Sequence, residues 1–105
     1  MVSVISTSAD FNSFLAMNPT CVVDMYTTWC GPCKMLAPAF ARMAENYGSK
    51  GISFAKVDID QAEDVANTYN IANLPTILYF KEGNLTNRVI GANPALIEDA
   101  VKNLL

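Results

Sequence analysis

Two thiols three positions apart, in Trp29-Cys30-Gly31-Pro32-Cys33-Lys34, are the residues here best suited to chemistry. A pair at this spacing can form half of a tetrahedral zinc site, or it can cycle between dithiol and disulfide. Residues 21–26 before it are an apolar run broken only by Asp24, which reads as a strand buried on both faces. Residues 32–47 carry Met35, Leu36, Ala39, Phe40, Met43, Ala44 and Tyr47 at helical spacing. Pro32 suits the first helical turn, where its missing N–H costs nothing. The thiols therefore fall where a strand gives way to a helix. Unsatisfied N–H groups and the macrodipole favour negative charge there and raise the thiolate fraction. The second thiol lies one turn in and can reach the first sulfur without large backbone change. Zinc would need two more ligands, but the chain has no His and only Cys21 besides this pair, so a second chain would have to complete the site.

The elements that must position this pair follow from periodicity. Val2–Ile5 reads as a short strand. Ala9–Met17 reads as a helix on Phe11, Phe14 and Leu15, ended by Asn18-Pro19. Pro38 predicts a kink in the helix after the thiols. Residues 48–51 form a turn, and Ile52–Ile59 is a second buried strand. Asp60 and Glu63 resemble a capping box opening a helix to about Tyr69. Strands Thr76–Lys81 and Thr86–Ile90 join around Glu82-Gly83-Asn84. Asn93-Pro94 caps a last helix with Leu96, Ile97, Val101, Leu104 and Leu105 as its apolar stripe. The order β-α-β-α-β-α-β-β-α is that of an α/β fold. Crossovers imply parallel pairs and the hairpin an antiparallel one. The expected architecture is a mixed five-stranded central sheet flanked on both faces by four helices.

Composition narrows the function. With 105 residues there is room for one domain, residues 1–105. Hydrophobic residues make up 51% and charged residues 16%, which excludes intrinsic disorder. Seven basic and ten acidic residues give a net charge of −3 with no basic run, so no nucleic-acid partner is expected. No apolar stretch approaches the ~18 residues of a membrane span. Residues 1–11 lack the basic and apolar regions of a signal peptide. An odd, low cysteine count points to a reducing, intracellular compartment.

Over essentially its whole length the chain resembles the thioredoxin family. The resemblance rests on WCGPCK at 29–34, Val22-Val23-Asp24, Lys56-Val57-Asp58-Ile59-Asp60, Leu74-Pro75-Thr76 and Gly91-Ala92. It implies a thioredoxin-like fold and a small protein-disulfide reductase, with Cys30 the attacking nucleophile and Cys33 the resolving thiol. It also implies that Pro75 is cis and packs against the disulfide, and that Leu74 offers backbone to an extended substrate. An ordinary trans proline at a strand start is the other reading of Pro75. Trp29, Gly31, Pro32, Ile59, Leu74, Pro75, Ile90, Gly91 and Ala92 would form the apolar surface that meets protein partners. The implied partners are protein disulfides and thioredoxin reductase, an NADPH-dependent flavoprotein. No cofactor or metal is expected in this chain, which would act as a cytoplasmic monomer. Disulfide-forming relatives usually carry His between the cysteines, where this chain has Gly31-Pro32. A redox-gated binding module would use the same apolar surface without turnover.

Asp24 and Lys56 are lone charges in apolar strands. One reading is a buried ion pair kept for structure. The other is a proton handler for Cys33, tuned by Lys56, because a carboxyl in apolar surroundings exchanges protons near neutrality. Cys30, ahead of the helix, is expected to be exposed, Cys33 shielded, and Cys21 an inert small hydrophobe. Met25 and Tyr26 depart from residues frequent in the family.

Overall fold

The apolar run ahead of the thiols becomes the middle of the sheet. In the computed structural model, which describes residues 1–105, the strands are β1 (Val2–Ile5), β2 (Thr20–Tyr26), β3 (Ser53–Asp58), β4 (Thr76–Lys81) and β5 (Asn84–Ile90). The helices are α1 (Ser8–Met17), α2 (Gly31–Gly48), α3 (Glu63–Thr68) and α4 (Pro94–Lys102). The strand order is β1-β3-β2-β4-β5. β2 runs parallel to β3, with Asp24 opposite Lys56, and antiparallel to β4, with Met25 opposite Thr76. β1 adds parallel to β3 and β5 antiparallel to β4, giving the expected mixed sheet.

Alternation along the strands divides the apolar residues between two cores. Val22, Phe54, Ile77 and Tyr79 pack under α2 and α4 with Leu36, Phe40, Ile97 and Val101. Their neighbours Val23, Ala55, Leu78 and Phe80 face the other way, toward Phe11 and Val65. Phe40 meets Phe54 edge-on at 5.4 Å, and Phe11 meets Phe80 at 6.0 Å. The fully buried phenol of Tyr79 donates to the Ile97 carbonyl at 2.9 Å, as a buried hydroxyl must find a partner.

Caps set the helix starts. Thr7 Oγ1 accepts from Asp10 N at 3.1 Å, so α1 begins one residue ahead of Ala9. Asn93 Oδ1 accepts from Ala95 N and Leu96 N at 3.1 and 3.3 Å, as expected. Glu82 and Gly83 both have positive φ, 53° and 79°, and form a two-residue turn. β5 therefore starts at Asn84, two residues ahead of Thr86. α2 is one helix across Pro38.

Two expectations need correction. Asp60 does not cap α3, whose N-cap is Ala62 without a side-chain bond. The turn instead wraps around Asp58, whose Oδ1 accepts from Asp60 N and whose carbonyl accepts from Gln61 N and Ala62 N. In α4 the buried stripe is Ile97, Ala100 and Val101, continued by Leu104, while Leu96 and Leu105 face outward. Leu96 lies about 100° around the helix from Ile97 and so leaves the core face. No helix is long and apolar enough to cross a membrane.

Candidate active site

Cys30 is the N-cap of α2, with extended backbone (φ −89°, ψ 110°), and Cys33 lies in the first turn. The two are joined in a disulfide with a Cα–Cα distance of 5.3 Å. Cys33 N also donates to Cys30 Sγ at 3.2 Å, and Lys34 N donates to the Cys30 carbonyl at 3.2 Å. In the reduced protein the same N–H faces a Cys30 thiolate, which gains a charge-assisted bond and the positive end of the helix.

The expected exposure of Cys30 is not met in this disulfide form. Cys30 is 6% exposed and Cys33 5%. What separates the two sulfurs is position at the helix end rather than burial: Cys30 Sγ holds the N–H bond of the cap.

The Leu74-Pro75 bond is cis, as the resemblance implies. Gly91 N donates to the Pro75 carbonyl at 2.9 Å, tying the start of β4 to the end of β5. Gly91 does this at φ +100°, a conformation that only glycine adopts without strain.

The residues assigned to the partner surface come from the loop ahead of α2, the turn after β3, the start of β4 and the end of β5. Trp29 and Ile90 are large exposed apolar groups, at 70% and 56%. Gly31 and Pro32 are exposed, and Ile59, Leu74, Gly91 and Ala92 are half-buried. Pro75 is buried and shows little of itself at the surface. Sequence reasoning missed one member: Trp29 Nε1 donates to Asp60 Oδ2 at 2.7 Å, holding the loop ahead of α2 to the turn after β3.

A cleft of about 290 Å³ runs behind the disulfide, lined by Asp24, Tyr26, Thr27, Thr28, Cys33, Lys34, Ala37 and Lys56. Asp24 is 4% exposed and its Oδ1 has no hydrogen-bond partner. Burial pushes its carboxyl up from 3.8 to about 7, against a smaller opposing pull from Lys56. The Lys56 ammonium does not close onto Oδ1. It sits over the Tyr26 ring, 5.3 Å from the centroid. The closed structural ion pair is thus not formed, and the cleft joins a protonatable carboxyl to Cys33.

Cys21 is fully buried and unbonded, and burial pushes its thiol up to about 12. It stays protonated at neutral pH, as an inert core thiol does. No three His, Cys, Asp or Glu side chains gather in a metal-binding group.

A family model described as thioredoxin matches residues 2–103. The chain belongs to the thioredoxin family. Thioredoxin-1 of Saccharomyces cerevisiae is 43% identical over 101 residues, covering 96% of each chain. The thioredoxin of Coprinus comatus is 38% identical over 105 residues, covering 100% of this chain and 99% of that one. Among solved structures, Fasciola hepatica thioredoxin matches with a TM-score of 0.93 at 32% identity, covering 99% of this chain and 100% of the other. Oxidised mitochondrial thioredoxin 3 of Saccharomyces cerevisiae matches with a TM-score of 0.90 at 32% identity, covering 97% and 94%. The fold is the thioredoxin-like fold. With its Cys30–Cys33 disulfide at the start of α2, this thioredoxin-family chain is a thiol–disulfide oxidoreductase.

Proposed function

We propose that the chain runs this chemistry as a reductant of protein disulfides; the observation that carries the direction is the Gly31-Pro32 pair between Cys30 and Cys33, in place of the His usual in disulfide-forming relatives, in a chain of the thioredoxin family. The Cys33 N–H aimed at Cys30 Sγ at 3.2 Å stabilises the thiolate of that sulfur and so marks Cys30 as the attacking one. Cys30 thiolate attacks a client disulfide and forms a mixed disulfide, and the first client sulfur leaves as a thiolate. Cys33 then gives its proton to the Asp24 carboxylate and attacks Cys30 Sγ. The Cys30–Cys33 bond forms, the Cys30–client bond breaks, and the second client sulfur leaves. Two electrons have passed to the client.

Lys56 tunes the carboxyl through space. Leu74 supplies backbone to an extended client segment beside Pro75, and Trp29, Gly31, Pro32, Ile59, Ile90, Gly91 and Ala92 supply the apolar contact. The oxidised pair is returned to the dithiol by thioredoxin reductase, with electrons from NADPH through the flavin of that separate protein. We read the chain as a single-domain, monomeric electron carrier of the cytoplasm, where the prevailing redox poise keeps it in use as a reductant.

The deciding experiment is insulin-disulfide reduction in the presence of NADPH and thioredoxin reductase. Sustained NADPH consumption that needs both Cys30 and Cys33 is expected. A binding module would hold disulfide proteins without turnover. A Cys30–Cys33 potential near the roughly −270 mV usual for thioredoxins fits the reductant, and one near about −120 mV an oxidant.

A further inference from the structure

Tyr26 lines the cleft of Asp24, yet no step of the exchange uses it. Asp24 and Tyr26 are two apart on β2 and share a face, as do Lys56 and Asp58 on β3. The register sets Asp24 opposite Lys56 and Tyr26 opposite Asp58. The Lys56 ammonium thus has a buried carboxylate oxygen without a partner on one side and an aromatic face on the other. It takes the aromatic face, at 5.3 Å, within the ~6 Å reach of a cation–π contact.

We propose that Tyr26 is a positioning residue whose ring holds the Lys56 ammonium off Asp24 and thereby sets the pH at which Asp24 exchanges a proton with Cys33. This rests on the proton-transfer role given to Asp24 above. A closed ion pair would favour the carboxylate and lower its pKa by ~1–3 units, leaving a weak base. An ammonium held at a stand-off lowers it less. Burial and a stand-off charge together account for a carboxyl poised near neutrality. The charged or titratable groups around the cleft are Asp24 and Tyr26 from β2, Lys56 and its strand neighbour Asp58 from β3, and Cys33 and Lys34 from α2. Asp58 has its own partner, since its Oδ1 accepts from Asp60 N at 3.0 Å.

The test is an NMR titration of the Asp24 side-chain carboxyl in the full, oxidised chain, where the disulfide removes Cys33 from the titration. Tyr26→Leu should lower the midpoint by about one unit, as the freed ammonium closes on the carboxylate. Tyr26→Phe, which keeps the ring and loses the hydroxyl, should leave it in place. Tyr26→Met is the second non-aromatic variant should the leucine protein fold poorly. Removing the ring also admits water, so the same substitution is made on Lys56→Met, where the fall should largely vanish. An equal fall with and without Lys56, no fall, or a fall in Tyr26→Phe equal to that in Tyr26→Leu would each overturn the proposal. The pH profile of exchange is measured on the same variants. A profile that stays put while the Asp24 midpoint moves with Lys56 supports the positioning by Tyr26 and overturns instead the role of Asp24.

Discussion

Trp29 and Asp60, 31 positions apart, are joined by a 2.7 Å hydrogen bond from the indole N–H to the carboxylate. The bond fixes the exposed Trp29 ring, a member of the proposed partner surface, against the turn after β3. Asp60→Ala should leave the urea midpoint nearly unchanged, because the bond is exposed and water replaces it. It should change the fluorescence of the only tryptophan and lower kcat/KM for insulin. Unchanged emission and turnover would show that the bond orders nothing the client meets.

In reduced protein at neutral pH, iodoacetamide should modify Cys30 well ahead of Cys33, roughly tenfold or more, because only Cys30 Sγ has the cap N–H to hold its thiolate. Mass mapping of short reactions reads this directly. Cys33→Ser should accumulate mixed disulfides with clients, since attack succeeds and release is lost. Trapping by Cys30→Ser instead would reverse the assigned order.

Asp24 should weigh against stability at high pH. Its folded pKa is raised from 3.8 to about 7, so the native state keeps its proton longer than the unfolded chain. The stability contributed by the neutral carboxyl is fully present below about pH 4 and is lost as pH rises through about 7. Above that pH, Asp24→Leu should be more stable than the parent, by ~1–3 kcal/mol for a buried polar group removed. Below about pH 4 the advantage should shrink. Under the proposed proton transfer, the same variant should exchange more slowly, as Cys33 would lose its acceptor. Urea midpoints and exchange rates at several pH values check both halves. A variant less stable throughout that exchanges at the parent rate would make Asp24 purely structural.

Gly91→Ala isolates a backbone effect. A Cβ at this position would meet nothing within 4 Å, so no clash arises. The cost is the φ of +100° alone, on the order of 1–3 kcal/mol. A fall in urea midpoint is expected, together with a rise in KM for insulin as the bond from Gly91 N to Pro75 shifts. Parent stability would mean that the loop relaxes at no cost and that this conformation is not required.

Much of this molecule is written in short-range pattern. The thiols fall at a helix start because an apolar run precedes them and a 3.6-residue period follows. The Asn93 cap and the turn at Glu82-Gly83 come from residue types within a few positions. Such features depend on local sterics and hydrogen bonding, so residue order alone determines them. Pro75 is different: its cis bond was expected only from the family resemblance, since neither isomer is written in the residues beside it. Asp60 shows where local pattern fails, because its spacing to Glu63 fits a cap while its carboxylate serves Trp29. Likewise, lone charges at Asp24 and Lys56 are visible in the strands, but not that the ammonium would rest on Tyr26. Both outcomes depend on strand order and register, which bring distant side chains to the same few ångströms. Only the packed sheet, with α2 laid across it, decides which of several available partners each polar group takes.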